Sequence, residues 1–318
     1  MFDIEELIPW EKKVGNTVLR GHHSVPSGKP VIHFLHGNGF SGLSYWPFLK
    51  LFAEHFDLFI SCVQGQGDSE TTEPFWGWNR HALHTAEVWN SFQHLWQDVT
   101  KIAMGHSFGG VVSSLMLADE NLCKKENIDF QKLILLDPVF FTPPMLGVMS
   151  LSEFFGLGSI SSLSKITLKR TRTWTDRETA FASLCGKGLF KTWHPDAMEA
   201  YVEFALKDTP EGVGLKCAPE MEAAIFASFP RKLWSSLKRL PLPAVMLYGA
   251  DTYPFVRTAA KKIVNHNKRV RTEQVAGGHC FMQEYPKDSY NKVKPYLNAF
   301  ILPEEGVTLP TQELLLSE

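Results

Sequence analysis

One hexapeptide constrains this chain more than any other stretch: Gly105-His106-Ser107-Phe108-Gly109-Gly110. Before it runs Lys101-Ile102-Ala103-Met104, a short apolar strand pattern. After it comes Val111-Val112-Ser113-Ser114-Leu115-Met116-Leu117-Ala118, which has the character of a buried helix. A strand that turns into a helix at a serine between two glycines is a nucleophile elbow. The turn is tight enough that a side chain at either flank would meet neighbouring backbone, which is why Gly105 and Gly109 stand there. The serine projects alone, and Ser107 is the candidate nucleophile. A bare G-x-S-x-G also arises by chance, so the strand and helix around it carry the weight.

The flanking chain supplies the sheet that such a turn needs. Residues Lys13 to Ser24 read as a hairpin around Gly15-Asn16, and Val31-Ile32-His33-Phe34-Leu35 as a buried strand opening into His36-Gly37-Asn38-Gly39-Phe40. Trp46 to Phe56 has helical spacing. Asp57 to Val63 is the next strand, closed by Gln64-Gly65-Gln66-Gly67-Asp68-Ser69, and Asn79 to Trp96 is a helix that leads to the elbow strand. Lys132 to Pro138 and Ala244 to Gly249 are further buried strands, and Arg271 to Val275 is the last. Helices are expected at Arg257 to Val264 and at Asp288 to Phe300, the latter interrupted by Pro295. Strands alternating with helices predict a mostly parallel, twisted sheet flanked by helices.

Between the strands at 132–138 and 244–249 lie about 100 residues, Phe141 to Leu240, far more than an ordinary connection needs. Thr175-Asp176-Arg177-Glu178 matches a capping box, Pro195 can open a helix, and Ala218 to Phe229 reads as another, so the insert is expected to be a helical cap. Glycines at 147, 156, 158, 186, 188, 212 and 214 punctuate it. The organisation expected is a core of residues 1–140 and 241–302, a cap of residues 141–240 and a tail of residues 303–318.

Lys plus Arg number 32 against 34 Asp plus Glu, so the net charge of -2 offers no broad field to nucleic acid or an anionic membrane. A small-molecule substrate is the partner expected. Five widely spaced cysteines without a C-x-x-C pair fit free thiols in a reducing compartment. The acidic start lacks the features of a signal peptide, and no stretch is long and apolar enough to span a bilayer, so a soluble cytoplasmic protein is expected.

A serine hydroxyl needs a general base, and the base needs a group that holds its tautomer. Both must come from the carboxyl ends of strands, where open parallel sheets bind ligands. His279 lies in a glycine loop past the last strand, and Asp251 follows Tyr248-Gly249, giving the chain order serine, acid, histidine. The oxyanion donors expected are the backbone N–H groups of Phe108, next to the nucleophile, and of Asn38, in the loop after His36-Gly37.

These residues, in this order, make the chain resemble the α/β-hydrolase superfamily, in its branch with a helical cap inserted after the elbow. The resemblance covers roughly residues 13 to 300. It implies the α/β-hydrolase fold and a serine hydrolase that uses Ser107, His279 and Asp251 without cofactor or metal. The family often places its acid three residues after the glycine that ends the strand, whereas Asp251 is two after Gly249. Asp137, at the end of the preceding strand, is the alternative acid. Relatives that are dehalogenases or epoxide hydrolases carry aspartate in the elbow, and Ser107 argues against both. The substrate expected is a small or medium, largely apolar carboxylic ester. Carbon–carbon bond hydrolysis of the meta-cleavage type uses the same residues, and a slow-turnover ligand-binding or signalling protein is a third reading.

Other residues have plainer explanations. Asp68 is expected to hold its own loop, His36 to shape the oxyanion loop from a buried position, and His106 to point away from the substrate. His22, His23, His81, His84 and His94 read as scattered surface histidines, since no partner falls at metal-ligand spacing. Cys280 is not in an elbow. Of Phe140, Phe141, Trp174, Phe181, Trp193, Tyr201 and Phe226, roughly two-thirds should be core, with the remainder lining a pocket.

Overall fold

A computed structural model of the chain describes residues 4–71, 74–155 and 162–300. The expected tail and the glycines at 156 and 158 lie outside the described residues. The strands are β1 (Ile8–Val14), β2 (Thr17–His23), β3 (Val31–Leu35), β4 (Asp57–Ser61), β5 (Lys101–His106), β6 (Lys132–Leu136), the short β7 (Thr173–Trp174), β8 (Leu206–Thr209) and β9 (Gly212–Leu215), then β10 (Ala244–Gly249) and β11 (Val270–Val275). Eight of them form one sheet in the order β1-β2-β4-β3-β5-β6-β10-β11, parallel from β4 onward, with the β1–β2 hairpin antiparallel at the edge. The elbow strand β5 is central, between β3 and β6.

The period of two along each strand splits the interior into two layers. Val31 and Leu35 of β3 and Leu133 and Leu135 of β6 face one layer, while Ile32, Phe34, Ile134 and Leu136 face the other. Both faces being covered explains why these strands read as unbroken apolar runs. The helices are α1 (Trp46–Leu49), α2 (Trp78–Phe92), α3 (Phe108–Leu117), α4 (Glu120–Lys125), α5 (Pro143–Phe154), α6 (Ser162–Thr167), α7 (Arg177–Leu184), α8 (Pro195–Phe204), α9 (Pro219–Phe226), α10 (Leu233–Arg239), α11 (Pro254–His266), α12 (Phe281–Glu284) and α13 (Pro286–Val293). The chain after α13 continues only as single turns at Lys294–Tyr296 and Asn298–Phe300, because Pro295 lacks an N–H to carry the ladder.

The chain between β6 and β10 carries helices and also a three-stranded antiparallel sheet, β7-β9-β8. The β8–β9 hairpin was not expected from the sequence, where Gly212 and Gly214 read only as punctuation between helices. Helix α7 begins one residue later than the expected box, because the Asp176 carboxylate accepts from the Thr179 N–H at 2.7 Å. At the end of the segment, α10 joins the core layer: Leu233, Trp234 and Leu237 pack in the cluster that holds α3 and α11.

Several histidines expected at the surface are buried. His23, His81 and His84 are enclosed, His22 is half-buried and His94 is exposed. Their aromatic faces pack well, and each buried ring finds a local acceptor: His23 Nδ1 lies 2.8 Å from the Ser24 carbonyl, His81 Nδ1 2.9 Å from the Gly77 carbonyl and His84 Nδ1 3.0 Å from a Glu87 carboxylate oxygen. Among the described residues, no group of His, Cys, Asp and Glu is arranged to hold a metal ion. His33 stacks on Trp89 with centroids 5.3 Å apart. Burial holds His33 down to about 3, and His36 and His81 to about 4.

Two predictions arise from this packing. A methyl on Gly109 would sit 2.6 Å from the His36 carbonyl oxygen, and one on Gly105 2.6 Å from Gly109 backbone, whereas one on Gly147 in α5 meets nothing. Gly109→Ala should cost about 3 kcal/mol or more, and Gly147→Ala should stabilise by about 0.5–1 kcal/mol, both read from urea unfolding midpoints. The buried histidines stay neutral in the native chain while the unfolded chain takes up protons below its ordinary value near 6.5. Stability should therefore be full above that value and fall as pH drops towards 4. The slope for three such groups reaches about 4 kcal/mol per pH unit, and unfolding curves at pH 7, 6 and 5 measure it.

Candidate active site

The elbow is built as its sequence requires. Ser107 follows β5 with φ 52° and ψ −114°, a conformation that non-glycine residues rarely adopt, and α3 starts at the next residue. Its N–H donates to the Leu136 carbonyl at 3.0 Å, which ties the turn to β6. Ser107 is mostly buried, with its side chain on the wall of a cavity.

His279 follows Gly277-Gly278 after β11. Its Nε2 lies 2.9 Å from Ser107 Oγ, and its Nδ1 lies 2.6 Å from Asp137 Oδ2. A carboxylate at Nδ1 keeps the proton on that nitrogen, so the Nε2 lone pair faces the serine hydroxyl. The structure thus brings Ser107 and His279 together and sets Asp137, the alternative acid, against the histidine. Asp251, the first choice, is exposed on the turn after β10. Its N–H donates to the Gly277 carbonyl at 2.9 Å, and its carboxylate makes no bond to His279.

The reason lies in strand order and backbone. Strand β6 adjoins the elbow strand, whereas β10 is one strand further out. Asp137 follows β6 at φ 45°, fully buried, and its carboxylate is held by donors from the β10 loop: the Gly249 N–H at 2.8 Å and the Thr252 hydroxyl. Thr252 occupies the position three residues after Gly249 where the family often carries its acid. In this chain the β10 loop donates hydrogen bonds to an acid on β6.

Phe108 and Asn38, the residues expected to supply the oxyanion donors, both line the cavity that Ser107 lines. Phe108 opens α3, so its N–H has no partner within the helix. Leu35 of β3 is paired with Gly105 of β5, which brings the loop at Asn38 beside the elbow. That loop is clamped from two sides. Asn38 Nδ2 donates to the Glu222 carbonyl on α9 at 3.0 Å, Gln66 Nε2 donates to Asn38 Oδ1 at 3.3 Å, and the Gly39 N–H donates to Gln66 Oε1 at 2.7 Å. The Glu222 carboxylate pairs with Arg170 at 2.5 Å, and Arg170 also donates to the Tyr201 hydroxyl at 3.1 Å. Burial raises the Glu222 carboxyl above its ordinary range, with Arg170 opposing.

Two further hydrogen-bonded links at the site were not recognised from the sequence. His106, buried and outside the cavity wall, connects the histidine loop to the Asn38 loop: the Gly37 N–H donates to Tyr45 Oη at 3.1 Å, Tyr45 Oη lies 2.6 Å from His106 Nδ1, and His106 Nε2 lies 2.9 Å from the His279 carbonyl. Burial first, and then His279, holds His106 well below the usual imidazole value, so it is neutral and can accept from Tyr45 while donating to the carbonyl. Glu284 receives the Gly278 N–H at 3.0 Å and steadies the same loop. His36 is enclosed, with Nδ1 2.7 Å from the Gly37 carbonyl. Asp68 does more than brace its own loop, since it pairs with Lys216 at 2.7 Å. Cys280 is buried, and burial pushes its thiol up, away from reactivity.

The cavity over Ser107 and His279 has a volume of about 1230 Å³. Its walls are largely apolar, with Phe141, Met145, Val148, Phe226 and Phe255 among them. Of the aromatic residues singled out in the sequence, Phe141 and Phe226 face this cavity. Phe140, Trp174, Trp193 and Tyr201 are buried in the core, and Phe181 packs against it. No helix among the described residues is long and apolar enough to cross a membrane.

No curated protein is similar in sequence. Solved structures share the fold at low identity. The peroxisomal α/β-hydrolase Lpx1 of Saccharomyces cerevisiae superposes with a TM-score of 0.72 at 15% identity, covering 97% of this chain and 93% of that one. E-2-(acetamidomethylene)succinate hydrolase does so with a TM-score of 0.71 at 16% identity, covering 92% and 99%. A serine hydrolase involved in carbazole degradation has a TM-score of 0.60 at 13% identity, covering 92% and 99%. Residues 34–293 match the model of the alpha/beta hydrolase family. With that match spanning the sheet from β3 through α13, including the elbow and the histidine loop, the chain belongs to the alpha/beta hydrolase family.

Proposed function

We propose that this protein is a cofactor-free serine hydrolase that cleaves largely apolar carboxylic esters through an acyl-enzyme. The observation that carries the reading is the continuous chain from Ser107 Oγ through His279 to Asp137, at 2.9 and 2.6 Å, on the wall of an apolar cavity. In this reading Ser107 Oγ attacks the ester carbonyl while His279 Nε2 takes its proton. The N–H groups of Phe108 and Asn38 receive the oxyanion. His279 then returns the proton to the leaving alkoxide, which departs as the alcohol. A water molecule repeats the sequence on the acyl-enzyme, releasing the acid and restoring the serine. The Asp137 carboxylate, 2.6 Å from His279 Nδ1, steadies the imidazolium.

The ester reading is favoured over carbon–carbon bond cleavage by the cavity wall. The dienol diketone acids of that chemistry carry a carboxylate, and a carboxylate is best met by an unpaired cation. The charged wall residues are Arg80, Glu153, Glu222 and Arg231, and both cations are already engaged, Arg231 with Glu153 and Arg80 with His84 and the Trp76 ring, while Glu222 is paired with Arg170. A slow-turnover binding role is disfavoured because every member of the hydrogen-bonded set is present. Five unpaired cysteines support a reducing, cytoplasmic setting.

Ser107→Ala should lower kcat on a short-chain aryl ester by about 10⁶-fold, and Asp137→Asn by about 10⁴-fold. Asp251→Asn should change it by less than about twofold, as an exposed residue outside the set. Steady-state kinetics of the three variants measure this. Full activity in Ser107→Ala would remove the catalytic claim, and a large loss confined to Asp251→Asn would reverse the choice of acid.

A further inference from the structure

We infer that the rim of this cavity is a docking surface for an anionic lipid bilayer. Large apolar side chains standing in water are concentrated in one part of the insert. Phe154 is 82% and Ile166 66% exposed, and Leu151, Phe155 and Leu168 are exposed as well, all on or just after α5 and α6. Singly scattered apolar groups are ordinary on a protein surface, but a cluster rimmed by polar residues marks an interaction site. Helix α5 buries only Ser152 of its 12 residues. Its retention against the body owes much to ties at its ends, the Trp234 indole donating to the Phe141 carbonyl at 2.9 Å and Arg231 paired with Glu153 at 2.6 Å.

The patch is continuous with the cavity. Val148, Leu163 and Leu189 are exposed and also line it, which puts α5, α6 and the 187–191 segment around one opening. Charge selects the occupant. From Leu151 to Thr175 the sequence has four basic residues and one acidic residue, Glu153, which is paired with Arg231. Arg170 and Arg172 are paired with Glu222 and Glu220, while Lys165 and Lys169 are exposed without an ion partner among the described residues. Lys187 and Lys191 flank Leu189 and are exposed as well. Lysines around an exposed apolar face match the composition of helices that lie in a negatively charged bilayer surface. A second copy of the chain is a poorer occupant, because a two-fold interface would set these lysines against their own counterparts. The whole-chain charge of -2 conceals this local excess.

The test uses full-length Ser107→Ala protein, so that it does not depend on turnover, sedimented with vesicles of phosphatidylcholine alone or with phosphatidylglycerol added. Binding is expected to the anionic vesicles, with release at about 0.5 M salt. Leu151→Glu with Phe154→Glu should weaken it by about tenfold or more, and Lys165→Gln with Lys169→Gln by roughly tenfold or more. None of these four residues contacts the cavity, so the same pairs in the Ser107 protein should hydrolyse a water-soluble ester at the unchanged rate. Absence of vesicle binding would overturn the inference, as would binding indifferent to both pairs. A dimer by light scattering that Phe154→Glu converts to monomer would assign the face to a second copy instead. Failure of ester hydrolysis in the wild type would remove the proposed chemistry and leave this surface standing.

Discussion

The fold depends on how closely the backbone of the elbow approaches its neighbours. Ser107 holds a φ of 52° that costs of order 1–3 kcal/mol. It persists because Gly109 lies under the carbonyls of Leu35 and His36, Gly105 lies against Gly109 and Gly110, and the Ser107 N–H is bound to the carbonyl of Leu136. Strands β3, β5 and β6 thus share one contact point. The same contact brings the Asn38 loop, which leaves β3, and Asp137, which leaves β6, close to the serine.

From that point the site is held by hydrogen-bonded chains more than by apolar packing. One runs from the loop of β10 through Asp137 to His279, and another runs from Gly37 through Tyr45 and His106 to the backbone of His279. Both end on the same residue, so its ring and its main chain are positioned independently. A third set joins the loop after β3 to α9 through Asn38 and the Glu222 carbonyl, with the half-buried Arg170 paired to the buried Glu222 side chain. Removing one member of a buried ion pair leaves the other uncompensated, so this set ties the position of α9 to the loop with more force than its few bonds imply.

Elements with strong periodicity were legible from the chain alone. The buried strands at 31–35, 101–106, 132–136 and 244–249 are apolar because both sheet faces are covered, and no other arrangement accommodates such runs at that length. Helix α5 and the β8–β9 hairpin were not legible. The apolar residues of α5 are divided between the cavity wall and the outer surface rather than gathered on one buried stripe, so its pattern lacks the usual contrast, and β8 and β9 are only four residues each. The histidines misled for a related reason. A neutral imidazole is small and flat enough to stack in a core, as His33 does on Trp89, and nothing in its neighbours along the chain announces this.

What the sequence by itself determined was the elbow, the order of serine and histidine along the chain, and the long stretch between the strands ending at Leu136 and starting at Ala244, because each follows from local sterics or from spacing. Which carboxylate meets His279 was decided only by tertiary structure. Asp137 and Asp251 both end strands that neighbour each other, and their separation from the histidine along the chain does not distinguish them. The left-handed backbone at Asp137, the adjacency of β6 to the elbow and the donors from Gly249 and Thr252 do so, because a hydrogen bond is fixed by position and direction in space.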